Sequence, residues 1–257
     1  MSSDSSEKNL NDPKPIDVFE HGSPKDGQPQ SMNKRLFMQL MVFQIQGAGS
    51  VSDHVTKLGE KINAMAARAV IYQDFHDPRS IALLLWHTDE NELFRNKQEL
   101  FARNEFNELC LRPEMGMFGR TYSSGYEPDL AYWLINRAEE TATNPEWPWA
   151  IWYPLRRKGS FERLEHKEQM SILGEHARIG RAYGSQDLAH DIRLVCHGLD
   201  THDNDFVIAL IGKELHPLSH VVQSMRKTRQ TSEFIQEMGP FFVGRVLWTS
   251  KKQPPLA

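Results

Sequence analysis

Hydrophobic and polar positions along the chain follow two alternating periods. From Arg35 to Ile45 the run RLFMQLMVFQI alternates and then turns continuously apolar, as a strand with a buried face does. Gly47 and Gly49 break it, and Ser52 or Asp53 can cap a helix that runs to about Ala67. AVIYQDF and SIALLLWHT read as two strands joined by a turn at Asp77-Pro78. ENELFRNKQELFARNEF is amphipathic, with Leu93, Phe94, Leu100 and Phe101 at helical spacing. MGMFGRTYS supplies a last strand, giving the order β-α-β-β-α-β of a ferredoxin-like unit.

The second half repeats this order. WAIWYPL is a strand, Glu162 to about Ile179 a helix ending at Gly180, and IRLVCHGL and FVIALIG a pair of strands. Leu218 to about Gln236 forms a further helix and PFFVGRVLW the closing strand. Short echoes accompany the repeat: Ile81-Ala82-Leu83 returns as Ile208-Ala209-Leu210, and Phe118-Gly119-Arg120 as Val243-Gly244-Arg245, at nearly equal offsets. The expected architecture is α+β, with two ferredoxin-like halves at residues 33–125 and 149–250 packed sheet to sheet or closed into a barrel, helices outside. A connector over 126–148 is rich in Tyr, Trp and Pro, as functional connectors often are. Residues 1–32 are too polar to bury a core of their own and are expected to form a disordered tail.

Composition narrows the function. With 39% apolar and 25% charged residues, 257 residues can build one or two cored domains. A net charge of −4 leaves no cationic excess for phosphates, which argues against nucleic acid as a partner. No run approaches the length of a membrane span, and MSSDSSEKNLNDPKP has neither the basic nor the apolar region of a secretory signal. Two cysteines, Cys110 and Cys196, make no disulfide framework. A cytoplasmic globular protein is expected.

Several patterns that resemble sites dissolve on inspection. Gln46-Gly47-Ala48-Gly49 begins like a dinucleotide fingerprint, but Ser52 stands where the third glycine belongs and the element order is wrong. His216 and His220 share a helical face without further ligands nearby, and read as exposed. Cys110 and Cys196 read as small buried hydrophobes. Three features hold up better. His176 lies in register with Ile172, Leu173 and Ile179, so it points with the apolar face of its helix, although that pattern alone favours a satisfied core histidine. Tyr153-Pro154-Leu155-Arg156-Arg157-Lys158 puts a phenol beside three cations at a strand end, and Met225 to Ser232 joins cations to hydroxyls. A flat, apolar polyanion such as a porphyrin with propionates suits such clusters.

In order and spacing, WYPLRRKGSFERL, EHARIGRAYG, CHGLDTHDNDFVIAL, SMRKTRQTSEF and GPFFVG resemble the chlorite dismutase and coproheme decarboxylase family, over residues 34–249 and most closely from Trp147 onward. The resemblance implies a dimeric α/β barrel, assembled as a homopentamer, with haem b or iron coproporphyrin III in the second half. It implies His176 as the proximal iron ligand and Tyr153 as the tyrosine whose radical takes a hydrogen from a propionate. Arg157, Arg226 and Thr231 then hold propionates, and Leu155 lies against the porphyrin. The distal position, counted back from Gly198-Leu199-Asp200, falls at Asp191, with His190 and Arg193 close by. Strand alternation puts Asp191 and Arg193 on one face and His190 on the other, unless a bulge intervenes. Glu139 and Glu140 lie near where decarboxylases carry a propionate-binding arginine, for which Arg137 is the available substitute. The implied activity is decarboxylation of iron coproporphyrin III to haem b by hydrogen peroxide. The alternatives are a chlorite dismutase-type haem b enzyme using Arg193, or a haem-binding protein without catalysis.

Overall fold

The computed structural model describes residues 15–102, 106–254 and 256. Strands β1 (Glu20–Lys25) and β2 (Gln28–Met32) form a hairpin. The first half follows as β3 (Phe37–Ile45), α1 (Val51–Ala64), β4 (Arg68–Asp74), β5 (Ser80–His87), α2 (Glu90–Phe101), a short β6 (Leu109–Leu111) and β7 (Met117–Arg120). The connector carries α3 (Arg137–Thr143). The second half is β8 (Trp149–Arg157), α4 (His166–Ser185), β9 (His190–Val195), β10 (Phe206–Gly212), α5 (Leu215–Met225), a short β11 (Ile235–Met238) and β12 (Phe242–Thr249).

Both halves have the same strand order. The first reads β7-β3-β5-β4 and the second β12-β8-β10-β9, with β6 and β11 added at matching places on β3 and β8. The halves meet at two seams, β4 with β12 and β7 with β9, so the pairings run round a barrel-like ring of eight strands. The seams are unequal. β12 pairs with β4 along Gly244–Thr249, whereas β7 and β9 share the single register pair Arg120–Val195, and α3 packs on β9 beside it.

The sequence echoes fall at equivalent places. Ile81 and Ile208 lie in β5 and β10, the third strand of each half. Gly119 and Gly244 sit one at each seam. A Cβ on Gly119 would lie 2.9 Å from the Leu194 Cβ and 3.0 Å from the Val195 carbonyl, and one on Gly244 would lie 3.0 Å from the Gln73 carbonyl. Glycine is therefore what lets the two halves approach at these joints.

Inside the ring Trp86, Trp152, Tyr72, Phe242, Met38 and Leu40 form the main core. α1 and α2 close over the outer face of the first half with Leu58, Ile62, Leu93 and Leu100. The outer face of the second half is covered less completely. Ile172 is the one fully buried side chain of the twenty-residue α4. Alternation within each strand explains the division, since one set of residues fills the ring and the other faces the helices.

The structure departs from the expected elements at several points. The expected tail overlaps the β1–β2 hairpin, whose Asp26-Gly27 turn has φ of 51° and 76°, the positive values a type I′ turn requires. Residues 1–14 of that tail lie outside the described residues. Ser50, not Ser52 or Asp53, caps α1, accepting from the Asp53 N–H. α4 continues through Gly180 to Ser185. α5 stops at Met225, and a wide turn over Gln230–Phe234 leads into β11. Cys196 is buried as expected, but Cys110 is exposed. His216 and His220 are exposed on α5. Among the described residues no helix is long and apolar enough to cross a membrane.

Candidate functional site

Three cross-strand rows define the outer face of the second half. Phe206 of β10 pairs with Leu155 on β8 and Val195 on β9; Ile208 pairs with Tyr153 and Arg193; Leu210 pairs with Ile151 and Asp191. Directly opposed residues share a face, so Leu155, Tyr153, Asp191 and Arg193 project together on the side that α4 and α5 cover.

Tyr153 is buried at 6% exposure and stacks on Phe241, ring centroids 4.7 Å apart. Burial pushes its phenol above the ordinary range, Asp191 adds to the rise and Arg226 opposes it, so the hydroxyl keeps its hydrogen across working pH. His176 on α4 also feels the Asp191 charge. Burial, reinforced by Arg193 and Arg157 and opposed by Asp191, lowers it to about 4, leaving the imidazole neutral. Its Nδ1 is buried without a hydrogen-bond partner. Such orphaned nitrogens are rare in folded proteins, and a neutral imidazole is the form that ligates metals.

Arg157 closes one end of the face. Its guanidinium lies 4.4 Å from the Phe161 ring and 4.8 Å from that of Phe206, and its Nε is likewise buried without a partner. Beyond it an open recess of about 390 Å³ is lined by Arg226, Thr231 and Ser232 on one side and by Ile235 to Met238 on the other. The Thr228 hydroxyl donates to the Thr231 hydroxyl at 3.3 Å. The cations and hydroxyls expected on one helix thus come from the turn after α5.

Asp191 does not stand alone. Arg193 approaches its Oδ2 through Nε at 2.9 Å, and Arg137 of α3 approaches Oδ1 through Nη2 at 2.5 Å. Burial works against the Asp191 charge, but Arg193 and Arg137 outweigh it and hold the carboxyl below its usual range. No sequence spacing suggests the engagement of Arg137 with Asp191. Glu139 pairs with Arg68 at the end of the ring. His190 is a correction. It pairs with Ile211 on the opposite face, stacks on Trp147 at 3.6 Å and binds Asp187 through Nε2 at 2.8 Å, so the structure takes it out of the site.

Sequence reasoning also misses the wall that the segment after β7 builds. Tyr122 packs on Phe206 at 5.9 Å, and the charges of Arg193 and Arg157 act on its phenol. The following loop folds round a buried carboxylate: Glu127 accepts from the hydroxyls of Ser123 and Ser124 and from the Ser124 N–H at 2.9 Å. The hairpin holds this loop from outside, Gln30 donating to the Glu127 and Pro128 carbonyls and accepting from the Leu130 N–H at 3.0 Å. The Asp-Gly dipeptide is the available signal for the hairpin.

Burial raises the Glu127 pKa, but the two serines prevail and set it below its ordinary 4.5. A carboxyl depressed in the folded state stabilises fully above its unfolded value and stops doing so as pH falls through the folded one. Glu127→Gln is therefore expected to lower the melting temperature at pH 7, by the few degrees that about 1 kcal/mol represents, and to leave less difference from wild type below pH 4. Equal melting of the two proteins at pH 7 would show that the carboxylate does not hold the loop.

The family model described as chlorite dismutase matches residues 52–247. No curated protein matches the chain. Among solved structures, a haem-binding protein from Thermus thermophilus superposes with a TM-score of 0.67 at 17% identity, over 84% of this chain and 92% of that one. The imidazole complex of the chlorite dismutase from Candidatus Nitrospira defluvii gives 0.65 at 13% identity, over 84% and 92%. At these identities the likeness is one of fold.

Proposed function

The chain belongs to the chlorite dismutase family, and on that footing we propose that its second half binds iron coproporphyrin III and decarboxylates two propionates with hydrogen peroxide, yielding haem b. The observation that carries this reading is the neutral His176, with its orphaned buried Nδ1, set against the face that bears Tyr153. A buried imidazole nitrogen and a buried Arg157 Nε, both unpartnered, suit a ligand that combines a metal with carboxylates.

In this reading His176 holds the iron, Leu155 lies against the macrocycle, and Arg157, Arg226 and Thr231 anchor propionates. Bound there, the iron porphyrin supplies the oxidising power that it draws from peroxide. Tyr153 gives up its phenolic hydrogen, and the tyrosyl radical recovers one from the β-carbon of a propionate held beside it. Each propionate loses two electrons and one proton as it leaves CO2 and a vinyl group. One peroxide takes up the two electrons with two protons and becomes two waters. The protein contributes position: a protonated phenol in a dry site, and fixed cations that keep the carboxylate within its reach. Arg157 keeps its charge at any working pH, so it anchors a carboxylate and shuttles no proton. On the same family resemblance the working form is a homopentamer in the cytoplasm.

Titration of the protein with iron coproporphyrin III and with haem b tests the carboxylate anchors. Arg157→Leu and Arg226→Leu are each expected to weaken the four-carboxylate porphyrin by about tenfold, the size of one charge-assisted hydrogen bond, and haem b by less. Equal losses for the two porphyrins would remove the anchoring role.

Arg193 favours a second reading. Its guanidinium stands in the Tyr153 row, where it suits an oxychlorine anion on haem b. Oxygen release from chlorite over many turnovers, lost in Arg193→Leu and kept in Tyr153→Phe, would establish that activity instead.

A further inference from the structure

We infer that Asp191 is a positioning residue: it fixes the Arg193 guanidinium for a small ligand on the porphyrin's open side, and ties that guanidinium through Arg137 to the connector helix. The inference rests on the porphyrin reading above.

Four observations carry it. Each carboxylate oxygen of Asp191 is taken by a different guanidinium, Oδ2 by the Arg193 Nε at 2.9 Å and Oδ1 by the Arg137 Nη2 at 2.5 Å. The carboxylate cannot turn without losing one of them. Arg193 makes its one ion pair among the described residues through Nε. An arginine paired with a carboxylate at Nε keeps both terminal amino groups for another acceptor. Arg137 is itself braced, its guanidinium 4.5 Å over the Trp133 ring. Finally, β9 is the strand at the thin seam, joined to β7 only at Val195, so no ladder braces Asp191 and Arg193 on that side. The Arg137–Asp191 contact spans the place where the ladder is missing.

A carboxylate beside an anion site would ordinarily repel the anion, and this gives the test its sign. If Asp191 acted only through its charge, Asp191→Asn would tighten anion binding. If it positions Arg193, the same change loosens binding although a negative charge has gone. The probe is fluoride, titrated spectrophotometrically into ferric haem b-loaded protein. Asp191→Asn is expected to weaken fluoride by about tenfold, the size of one charge-assisted hydrogen bond. Arg193→Leu should weaken it similarly, the double variant should lose little more, and Asp191→Glu should recover part of the loss. Arg137→Lys, which keeps the charge but not the fork, should also weaken fluoride, and it serves if Asp191→Asn does not melt cooperatively.

Fluoride bound as tightly or more tightly by Asp191→Asn, or losses that simply add in the double variant, would overturn the inference while leaving the haem site in place. Failure of the wild-type protein to take up haem would overturn the porphyrin reading and this inference together.

Discussion

Tyr153→Phe is expected to bind iron coproporphyrin III as the wild type does and to convert it ~10³-fold more slowly or not at all, a barrier increase of about 4 kcal/mol. The reason lies in what the substitution keeps. A phenylalanine retains the ring that stacks on Phe241 at 4.7 Å and fills the same buried volume, so β8 and its pairing with β10 stay intact. What goes is the O–H, which burial keeps protonated well above the usual phenol range. Because that hydrogen is not lost to solvent below pH 10, wild-type conversion should show no fall assignable to phenol ionisation between pH 6 and 9. Porphyrin binding by titration and product by mass over time separate the two effects. Wild-type conversion by the variant would remove Tyr153 from the chemistry.

His176→Ala is expected to weaken porphyrin uptake by about a hundredfold, equivalent to about 2.8 kcal/mol, and to change the visible spectrum of what still binds. The apo protein gives a second, independent readout. A histidine satisfied in a core would lose hydrogen bonds and packing on truncation, and the protein would melt lower. Here the buried Nδ1 has no partner, so removing it relieves a desolvated polar atom instead. The apo variant should melt no lower than wild type, and free imidazole should restore part of the porphyrin affinity. A clear drop in apo melting temperature with unchanged uptake would return His176 to the core.

Much of the scaffold is legible in residue order. The duplicated βαββαβ pattern is visible because alternation within strands and 3.6-residue spacing in helices are local signals, and it appears in the matching strand orders of the two halves. The meaning of the Phe118-Gly119-Arg120 echo is not. Only the assembled ring shows that its glycine and Gly244 sit where one half's backbone crowds the other. The hairpin escapes for a different reason. Its residues bury little themselves, and the contacts that hold it, from Gln30 and from Lys25 to Asp129 at 2.7 Å, reach about a hundred residues along the chain. Helix ends are displaced because Gly180 is tolerated inside a helix that packing sustains, while the Gln230–Phe234 turn carries no glycine or proline to announce it.

The site divides along the same line. Strand alternation by itself separates Asp191 and Arg193 from His190, and the pairing with β10 places them so. The tie from Asp191 to Arg137 spans 54 residues and depends on α3 covering a thin seam, which no spacing in the sequence encodes. The partnerless state of the His176 Nδ1 is likewise a property of the folded surroundings, because its helical register by itself favours a satisfied core histidine.

The most direct test is the mass of the porphyrin after peroxide is added to the stoichiometric complex of the wild-type protein with iron coproporphyrin III. Loss of two carboxyl groups as CO2, passing through a three-propionate intermediate and ending at haem b, is the expected result. Recovery of intact iron coproporphyrin III, or of bleached fragments alone, would contradict decarboxylation.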